Sequence, residues 1–325
     1  MQKIKTLIFG LGKIGLDYDY DIKDRKVILT HSKALYLNRK FKIIAGIDKS
    51  SKQLLKFRSK YNIRTFRSIY DFIKFNNNNK IDLIILSTDT KNRLKDFKNI
   101  LELKPKVVLI EKPISYNLSD TKKILKISKK NKIKLFVNFT KLSDPACIKI
   151  KKMISKNKIK YPIEGTACYS GGLYNNASHL ISLLIFWLGD IKKLKILENG
   201  KKFNKFDLEP KFYLIFNKAS IFFFPVKYKN YFNLSVELYS KNGKLSYKEE
   251  GRDVYWQSII NDNLFKGYKI LNNKRKKIVN KMKFHQANIY NNIYNFFCSS
   301  NYTLCSSQEA LVVDKVLNKI KLNVK

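Results

Sequence analysis

The sequence predicts an α/β protein in two parts: a doubly wound parallel sheet at the N-terminus, then an α+β domain with a large, mainly antiparallel sheet. Three observations predict it. Up to about residue 140, short runs of Ile, Leu and Val alternate with polar, helix-length segments, as in strands covered by helices on both faces. A glycine-rich turn, Gly10-Leu11-Gly12-Lys13-Ile14-Gly15, directly follows the first run. In the second half the rhythm changes, and strand-like runs succeed one another across short polar turns.

The first strand is Ile4 to Phe9, where four of six residues are apolar, and no targeting peptide is expected ahead of it. In the turn, Gly10 permits the tight bend and Gly12 removes the Cβ that would keep a diphosphate from main-chain N–H groups. Gly15 lets the next segment pack on the strand, and Lys13 and Ile14 complete a Rossmann-type dinucleotide cradle. Phe41 to Ile47 is the second strand. It ends at Asp48, whose carboxylate can accept hydrogen bonds from adenosine ribose hydroxyls and so favours NAD; Lys49 leaves room for the 2'-phosphate of NADP.

Asp48 lies well beyond the roughly 20 residues such a unit usually allows after its glycines, so a segment is inserted. It runs from Leu16 to Leu29 and carries Asp17, Asp19, Asp21 and Asp24, the most acidic stretch of a basic chain. It reads as a solvated surface excursion, with a loop over the cofactor or substrate mouth as the alternative. Thr30 then caps a helix over His31 to Leu37, where His31 reads as a surface or capping residue, with a place at the substrate mouth beside the insert as the alternative.

A helix over Ser50 to Lys60 leads towards the strand Ile81 to Leu86, which runs into Ser87-Thr88-Asp89-Thr90. The helix Arg93 to Leu103 leads to the strand Val107 to Ile110, which runs into Glu111-Lys112-Pro113. Both polar turns fall at carboxyl ends of strands, where ligands bind in such sheets, so Ser87, Thr88, Glu111 and Lys112 are candidate cofactor contacts. Arg93 reads as a solvated helix-end arginine, with a phosphate contact as the alternative. A helix over Asn117 to Lys130 and a strand over Ile133 to Phe139 follow, then Thr140-Lys141. The domains are expected to divide into 1–122 and 123–325.

The second half opens on strand Ile163 to Tyr169, then Gly171-Gly172-Leu173-Tyr174-Asn175-Asn176-Ala177-Ser178-His179 and an apolar helix. Further strands read at Lys193 to Leu197, Phe212 to Phe216, Ser220 to Val226, Phe232 to Ser240, Lys244 to Lys248 and Asp253 to Gln257. Asn242-Gly243 marks a hairpin, because both residues tolerate positive φ. The aromatic run Ile221 to Phe224 makes one face of this sheet a candidate subunit interface. His285 opens an aromatic, helix-like segment and reads as core packing. A last helix, Ser307 to Leu322, is expected to return to the first domain.

The order of glycine-rich turn, strand-Asp, Glu-Lys-Pro and a late Gly-Gly to Ser-His stretch resembles the Gfo/Idh/MocA oxidoreductases over essentially the whole chain. The resemblance implies NAD(P)-dependent hydride transfer at a hydroxyl or keto carbon of a sugar, with a nucleotide-linked sugar of surface-polysaccharide synthesis as the leading substrate. It places a catalytic lysine at Lys112 and a catalytic histidine at His179. The family's D-x-G-x-H pattern is altered here, with Asn175 in place of the aspartate and Ala177 in place of the glycine. Acid/base work would then fall on His179 and Lys112, since an amide cannot accept a proton. Lys112, Lys141, Asn175, Asn176 and His179 are the candidate substrate contacts, and a homo-oligomer formed through the C-terminal sheet is implied.

The formal net charge is +41, which raises a nucleic-acid or membrane-surface binder as a rival. Lysine greatly outnumbers arginine and is spread through every segment, so the charge reads as a solvated surface that can draw in phosphorylated substrates, with no specific nucleic-acid site. A second rival is a dinucleotide-binding regulator without catalysis. Cys147, Cys168, Cys298 and Cys305 have no metal spacing or pairing pattern, so no metal is expected. The longest apolar run, Leu180 to Leu188, is too short for a membrane span, and a cytoplasmic location follows as the expectation.

Overall fold

The computed structural model describes residues 2–76, 79–205, 207–228 and 230–324. The chain forms two compact units, Met1–Ser143 with Lys283–Asp314, and Asp144–Met282 with Lys315–Lys325. The division thus falls beyond the expected 122–123, because the helix and strand after residue 117 continue the first sheet.

In the first unit the elements run β1 (Ile4–Phe9), α1 (His31–Leu37), β2 (Phe41–Ile47), α2 (Ser51–Tyr61), β3 (Thr65–Phe66) and α3 (Ile69–Asn76). They continue as β4 (Leu83–Leu86), α4 (Arg93–Asn99), β5 (Val107–Ile110), α5 (Leu118–Lys130) and β6 (Lys134–Val137). The sheet order is β6-β5-β4-β1-β2-β3, all parallel. Register puts Phe9 beside Ile47 and Leu86, Leu86 beside Ile110, and Ile110 beside Val137. The next residue of each strand, Gly10, Asp48, Ser87, Glu111 and Asn138, therefore stands on one carboxyl edge.

One face of this sheet packs Ile8, Ile43, Ile85 and Leu109 against Leu35 of α1 and Phe57 of α2. Ile289, Tyr290 and Ile293 of the later helix α8 (His285–Phe297) join the same core. Phe72, Phe97 and Ile124 of α3, α4 and α5 are buried as well, the covered arrangement expected of a parallel sheet. Two late segments complete the unit. A short strand at Cys305–Ser306 pairs antiparallel with β6, and Asp314 of α9 (Ser307–Asn323) accepts a 2.9 Å hydrogen bond from Thr121 of α5.

The second unit adds α6 (Pro145–Ser155), β7 (Ile163–Tyr169), α7 (Ser178–Leu188), β8 (Ile191–Asn204), β9 (Asp207–Phe216) and β10 (Ala219–Pro225). The strands β11 (Leu234–Ser240), β12 (Gly243–Lys248), β13 (Asp253–Asn261), β14 (Lys269–Leu271) and β15 (Lys276–Lys277) finish it. Their order is β14-β13-β12-β11-β7-β10-β9-β8, mainly antiparallel, with β7 and β10 parallel and β15 paired to β13. The β11–β12 hairpin turns through Lys241-Asn242, one residue earlier than the expected Asn242-Gly243, because Gly243 already pairs with Ser240 at the head of β12.

The β8–β9 hairpin is longer than its apolar residues suggest. β8 is a lysine-rich, largely exposed edge strand whose apolar alternation is confined to Leu194 and Ile196, and charge on an edge discourages further pairing. In β10, Ala219, Ile221 and Phe223 are buried, while Phe222 and Phe224 on the other face are half-buried and stack at 5.5 Å. Tyr213 of β9 extends that aromatic ladder, 5.1 Å from Phe222.

Candidate functional site

In the first unit the glycine turn is tied into the carboxyl edge from both sides. Gly10 adopts φ +107°, and a Cβ on it would stand 2.5 Å from the backbone of Ser87. Ser87 Oγ donates to Gly10 O at 2.8 Å. A Cβ on Gly15 would collide with Gly10 O, whereas a Cβ on Gly12 would meet nothing within 4 Å. Two of the three glycines are thus required by the chain's own packing. The third faces open space, so the protein itself gives no reason for it.

Asp48 stands at the end of β2 and accepts from Leu11 N at 2.7 Å and Ser50 N at 2.9 Å. A carboxylate has about four lone-pair directions, so it retains acceptor capacity for a ribose. Gln53 Nε2 of α2 bridges Leu11 O, at 2.8 Å, and Asp17 of the insert, at 2.6 Å.

The middle of the insert, Asp21 to Lys26, is exposed as a surface excursion would be, but both its ends are anchored. Asp19 is buried and accepts from Leu29 N, Thr30 N and Thr30 Oγ1 at 2.6 to 3.1 Å. Asp17 pairs with Lys56 at 2.9 Å, and Lys33 Nζ donates to the carbonyls of Ile22 and Asp24. Tyr20 lies against Lys56 and Lys60 of α2. The insert also closes on itself at its base. His31 N donates to Ile14 O and Ser32 N to Gly15 O, both at 3.1 Å, so α1 begins where it would begin if Gly15 led directly into it.

Two sequence readings are corrected here. His31 is fully buried, not a surface residue. Its Nε2 lies 2.9 Å from Glu111 Oε1 and its Nδ1 2.7 Å from Tyr290 Oη. Arg93 is 2% exposed, not solvated. It donates to the carbonyls of Glu111 and, at 2.6 Å, Thr88. Burial pulls its pKa down to about 10, which leaves it protonated at neutral pH.

Asn138, at the end of β6, donates to Glu111 Oε1 at 2.5 Å. Burial pushes the Glu111 carboxyl up, but the hydrogen bonds from His31 and Asn138 and the charges of His31 and Lys112 outweigh it and hold it below the usual carboxylate range. Lys112, the next residue, is half-buried at this edge. Lys141 lies in a 3-10 turn after β6, 3% exposed. Gly10, Gly12, Lys13, Ile14, Gly15, Asp48, Ser87, Thr88, Glu111, Lys112 and Lys141 all belong to this unit.

In the second unit, Leu173–Ala177 form a π-helical turn that runs into α7, a deviation often found at functional positions. It carries Asn175 and Asn176 and leads one turn on to His179. Two carboxylates of β9 hold its start. Asp207 accepts from Tyr174 N and Asn175 N, both at 3.0 Å, and Glu209 accepts from Gly171 N at 2.8 Å and Gly172 N at 3.1 Å. Burial pushes the Asp207 carboxyl up, opposed by these backbone donors.

Gly172 adopts φ +97°, and a Cβ there would strike Asp207. Asn175 Nδ2 donates to Gly171 O at 3.1 Å and Asn176 Nδ2 to Ser170 O at 2.6 Å. An aspartate in place of Asn175 has no such donor. Asn175 is exposed, and Asn176 and His179 are half-buried.

Among the described residues no group of three or more His, Cys, Asp and Glu could hold a metal, no disulfide forms, and no helix is long and apolar enough to cross a membrane. His31, Arg93, Asn138, Tyr290, Asp207 and Glu209 carry no motif. The strand register and the closed base of the insert are what bring them to their places.

Residues 4–139 match the family described as Gfo/Idh/MocA, oxidoreductase family, NAD-binding Rossmann fold. Comparison with curated proteins by sequence finds no match. Among solved structures, the WlbA dehydrogenase from Bordetella pertussis in complex with NADH and UDP-GlcNAcA is 15% identical with a TM-score of 0.78, over 99% of this chain and 96% of that one. An NAD binding oxidoreductase from Klebsiella pneumoniae is 13% identical with a TM-score of 0.78, over 99% and 97%. The super-repressor mutant of Gal80p from Saccharomyces cerevisiae is 12% identical with a TM-score of 0.77, over 99% and 96%. At these identities the likeness is one of fold.

Proposed function

We propose that this chain, which belongs through residues 4–139 to the Gfo/Idh/MocA oxidoreductase family with its NAD-binding Rossmann fold, is an NAD(P)-dependent dehydrogenase or reductase. Its substrate is a hydroxyl or keto carbon of a sugar, with a nucleotide-linked sugar as the leading class. The observation that carries the cofactor reading is Gly12: its Cβ position is open while those of Gly10 and Gly15 are closed. A bare main chain facing open space at the carboxyl edge suits a diphosphate. Gly10, Gly12, Lys13, Ile14 and Gly15 would cradle it, Asp48 would bind the adenosine ribose, and Ser87, Thr88 and Glu111 would line the path to Lys112.

The nicotinamide, when bound, supplies the hydride chemistry. The chain's part is to orient substrate and to handle one proton. Lys112 is assigned the role of holding the substrate oxygen through its ammonium group. His179 is assigned the role of accepting the hydroxyl proton in the oxidative direction, since an imidazole titrates near neutrality. Asn175 and Asn176 would hydrogen-bond sugar hydroxyls. The charge of +41 and the bound UDP-GlcNAcA of the Bordetella WlbA structure both favour an anionic, diphosphate-linked sugar. The aromatic ladder of Tyr213, Phe222 and Phe224 suits a second copy of the chain.

The test is a screen of UDP-linked sugars and free polyols with NAD and NADP, monitored by nicotinamide absorbance. Lys112→Ala and His179→Ala should each lower turnover at least a hundredfold and leave NADH binding within about threefold. NADH binding with no turnover on any sugar would favour a regulatory role, the reading to which the Gal80p fold likeness points.

A further inference from the structure

We propose that His31 is a positioning residue for Lys112, acting through Glu111, and that the buried set His31, Glu111, Asn138 and Tyr290 fixes the direction in which Lys112 leaves the sheet. This rests on the reading of Lys112 as the residue beside the nicotinamide.

Glu111 is pinned at both backbone ends and at its side chain. Its N–H donates to Leu86 O at 3.0 Å, its carbonyl accepts from Arg93, and its Oε1 accepts from His31 and Asn138. Four elements outside β5, namely α1, β4, α4 and the end of β6, thus meet on the one residue that precedes Lys112. A half-buried lysine on a four-carbon stem has several rotamers, and a fixed backbone direction with a buried carboxylate alongside narrows them.

The hydrogen-bond roles follow from the carboxylate. Because Glu111 is ionised, it only accepts, so His31 Nε2 carries a proton. Tyr290 is buried, and burial keeps its phenol neutral, pushing its pKa well above the usual value. Its hydroxyl lies 2.7 Å from His31 Nδ1 and holds the plane of the ring. A buried carboxylate that loses a donor is left with part of its charge unsolvated. The strain falls on the polypeptide next to Lys112.

His31→Leu removes the donor, His31→Gln restores an amide N–H at a similar reach, and Tyr290→Phe removes only the hydroxyl that orients the ring. Each variant is titrated with NADH by nicotinamide fluorescence. Each is also acetylated with trace acetic anhydride, with and without saturating NADH, and the Lys112 peptide is quantified by mass spectrometry against the other lysines. In the wild type NADH should protect Lys112 at least fivefold. In His31→Leu the NADH Kd should stay within about threefold while protection of Lys112 falls below twofold, and in His31→Gln protection should return.

Tyr290→Phe, the mildest change, should lie between, and it decides the matter if His31→Leu does not fold. Unchanged protection in Tyr290→Phe together with full protection in His31→Leu, or in whichever of the two folds, overturns the proposal. A wild type that binds NADH yet leaves Lys112 unprotected instead overturns the underlying reading of Lys112.

Discussion

Replacing Gly12 by alanine separates a glycine kept for the fold from one kept for a ligand. A Cβ at this position meets nothing within 4 Å, and the residue lies outside the left-handed region. The native chain therefore accepts it, and the smaller conformational freedom of the unfolded chain should stabilise the protein by about 0.4–1 kcal/mol. At Gly15 the same methyl collides with Gly10 O, and overpacking of this kind costs about 1–3 kcal/mol. The order reverses for the cofactor. A methyl on Gly12 holds a diphosphate off the turn and lengthens hydrogen bonds to a charged group, each worth about 1.5–3 kcal/mol, so loss of one or two weakens Kd by roughly tenfold to twenty-thousandfold.

The assay pairs urea unfolding with NADH fluorescence titration for wild type, Gly12→Ala and Gly15→Ala. The expected result is an unfolding midpoint at or above wild type for Gly12→Ala, with NADH affinity at least tenfold weaker, and a lowered midpoint for Gly15→Ala. Wild-type NADH affinity in Gly12→Ala would refute the reasoning, because the open Cβ position would then have no ligand to account for it.

Asp314, 4% exposed, offers a pH-dependent test in the same unit. Burial raises its pKa from 3.8 to about 7, with Thr121 donating to it. The native state therefore holds a proton that the unfolded state has released between those values, and stability falls as pH rises through that window. Asp314→Asn removes the slope, so its advantage over wild type should grow from pH 4 to a limit of about 4 kcal/mol above pH 7; a difference that is flat with pH in denaturant melts would contradict this. In the second unit, Gly172→Ala should destabilise by about 2 kcal/mol or more, since it combines a positive φ with a collision against Asp207. Asp207→Leu strips the acceptor from Tyr174 N and Asn175 N and should raise the substrate KM without changing the NADH Kd. Equal effects on both constants would show that the π-turn does more than hold the substrate loop.

The charge and lysine content were legible in the sequence, as were the parallel sheet, the glycine turn and the positions of Asp48, Ser87 and Glu111 at strand ends. They depend on local pattern: apolar runs of strand length, glycine chemistry, and polar residues immediately after a strand. The antiparallel second sheet was legible for the same reason, apart from the full length of β8, of which only Lys193 to Leu197 shows an apolar pattern, and the two- or three-residue strands β14 and β15, which are too short to show a period. Only the tertiary structure decided the surroundings of Lys112. His31 lies 80 residues from Glu111 along the chain, and Tyr290 lies 259 from His31. The insert hides the fact that α1 starts beside Ile14 and Gly15, and Arg93 is buried because its guanidinium replaces water with the carbonyls of Thr88 and Glu111. Periodicity reports which side of an element is apolar, whereas a buried charge is tolerated only where distant segments supply its partners.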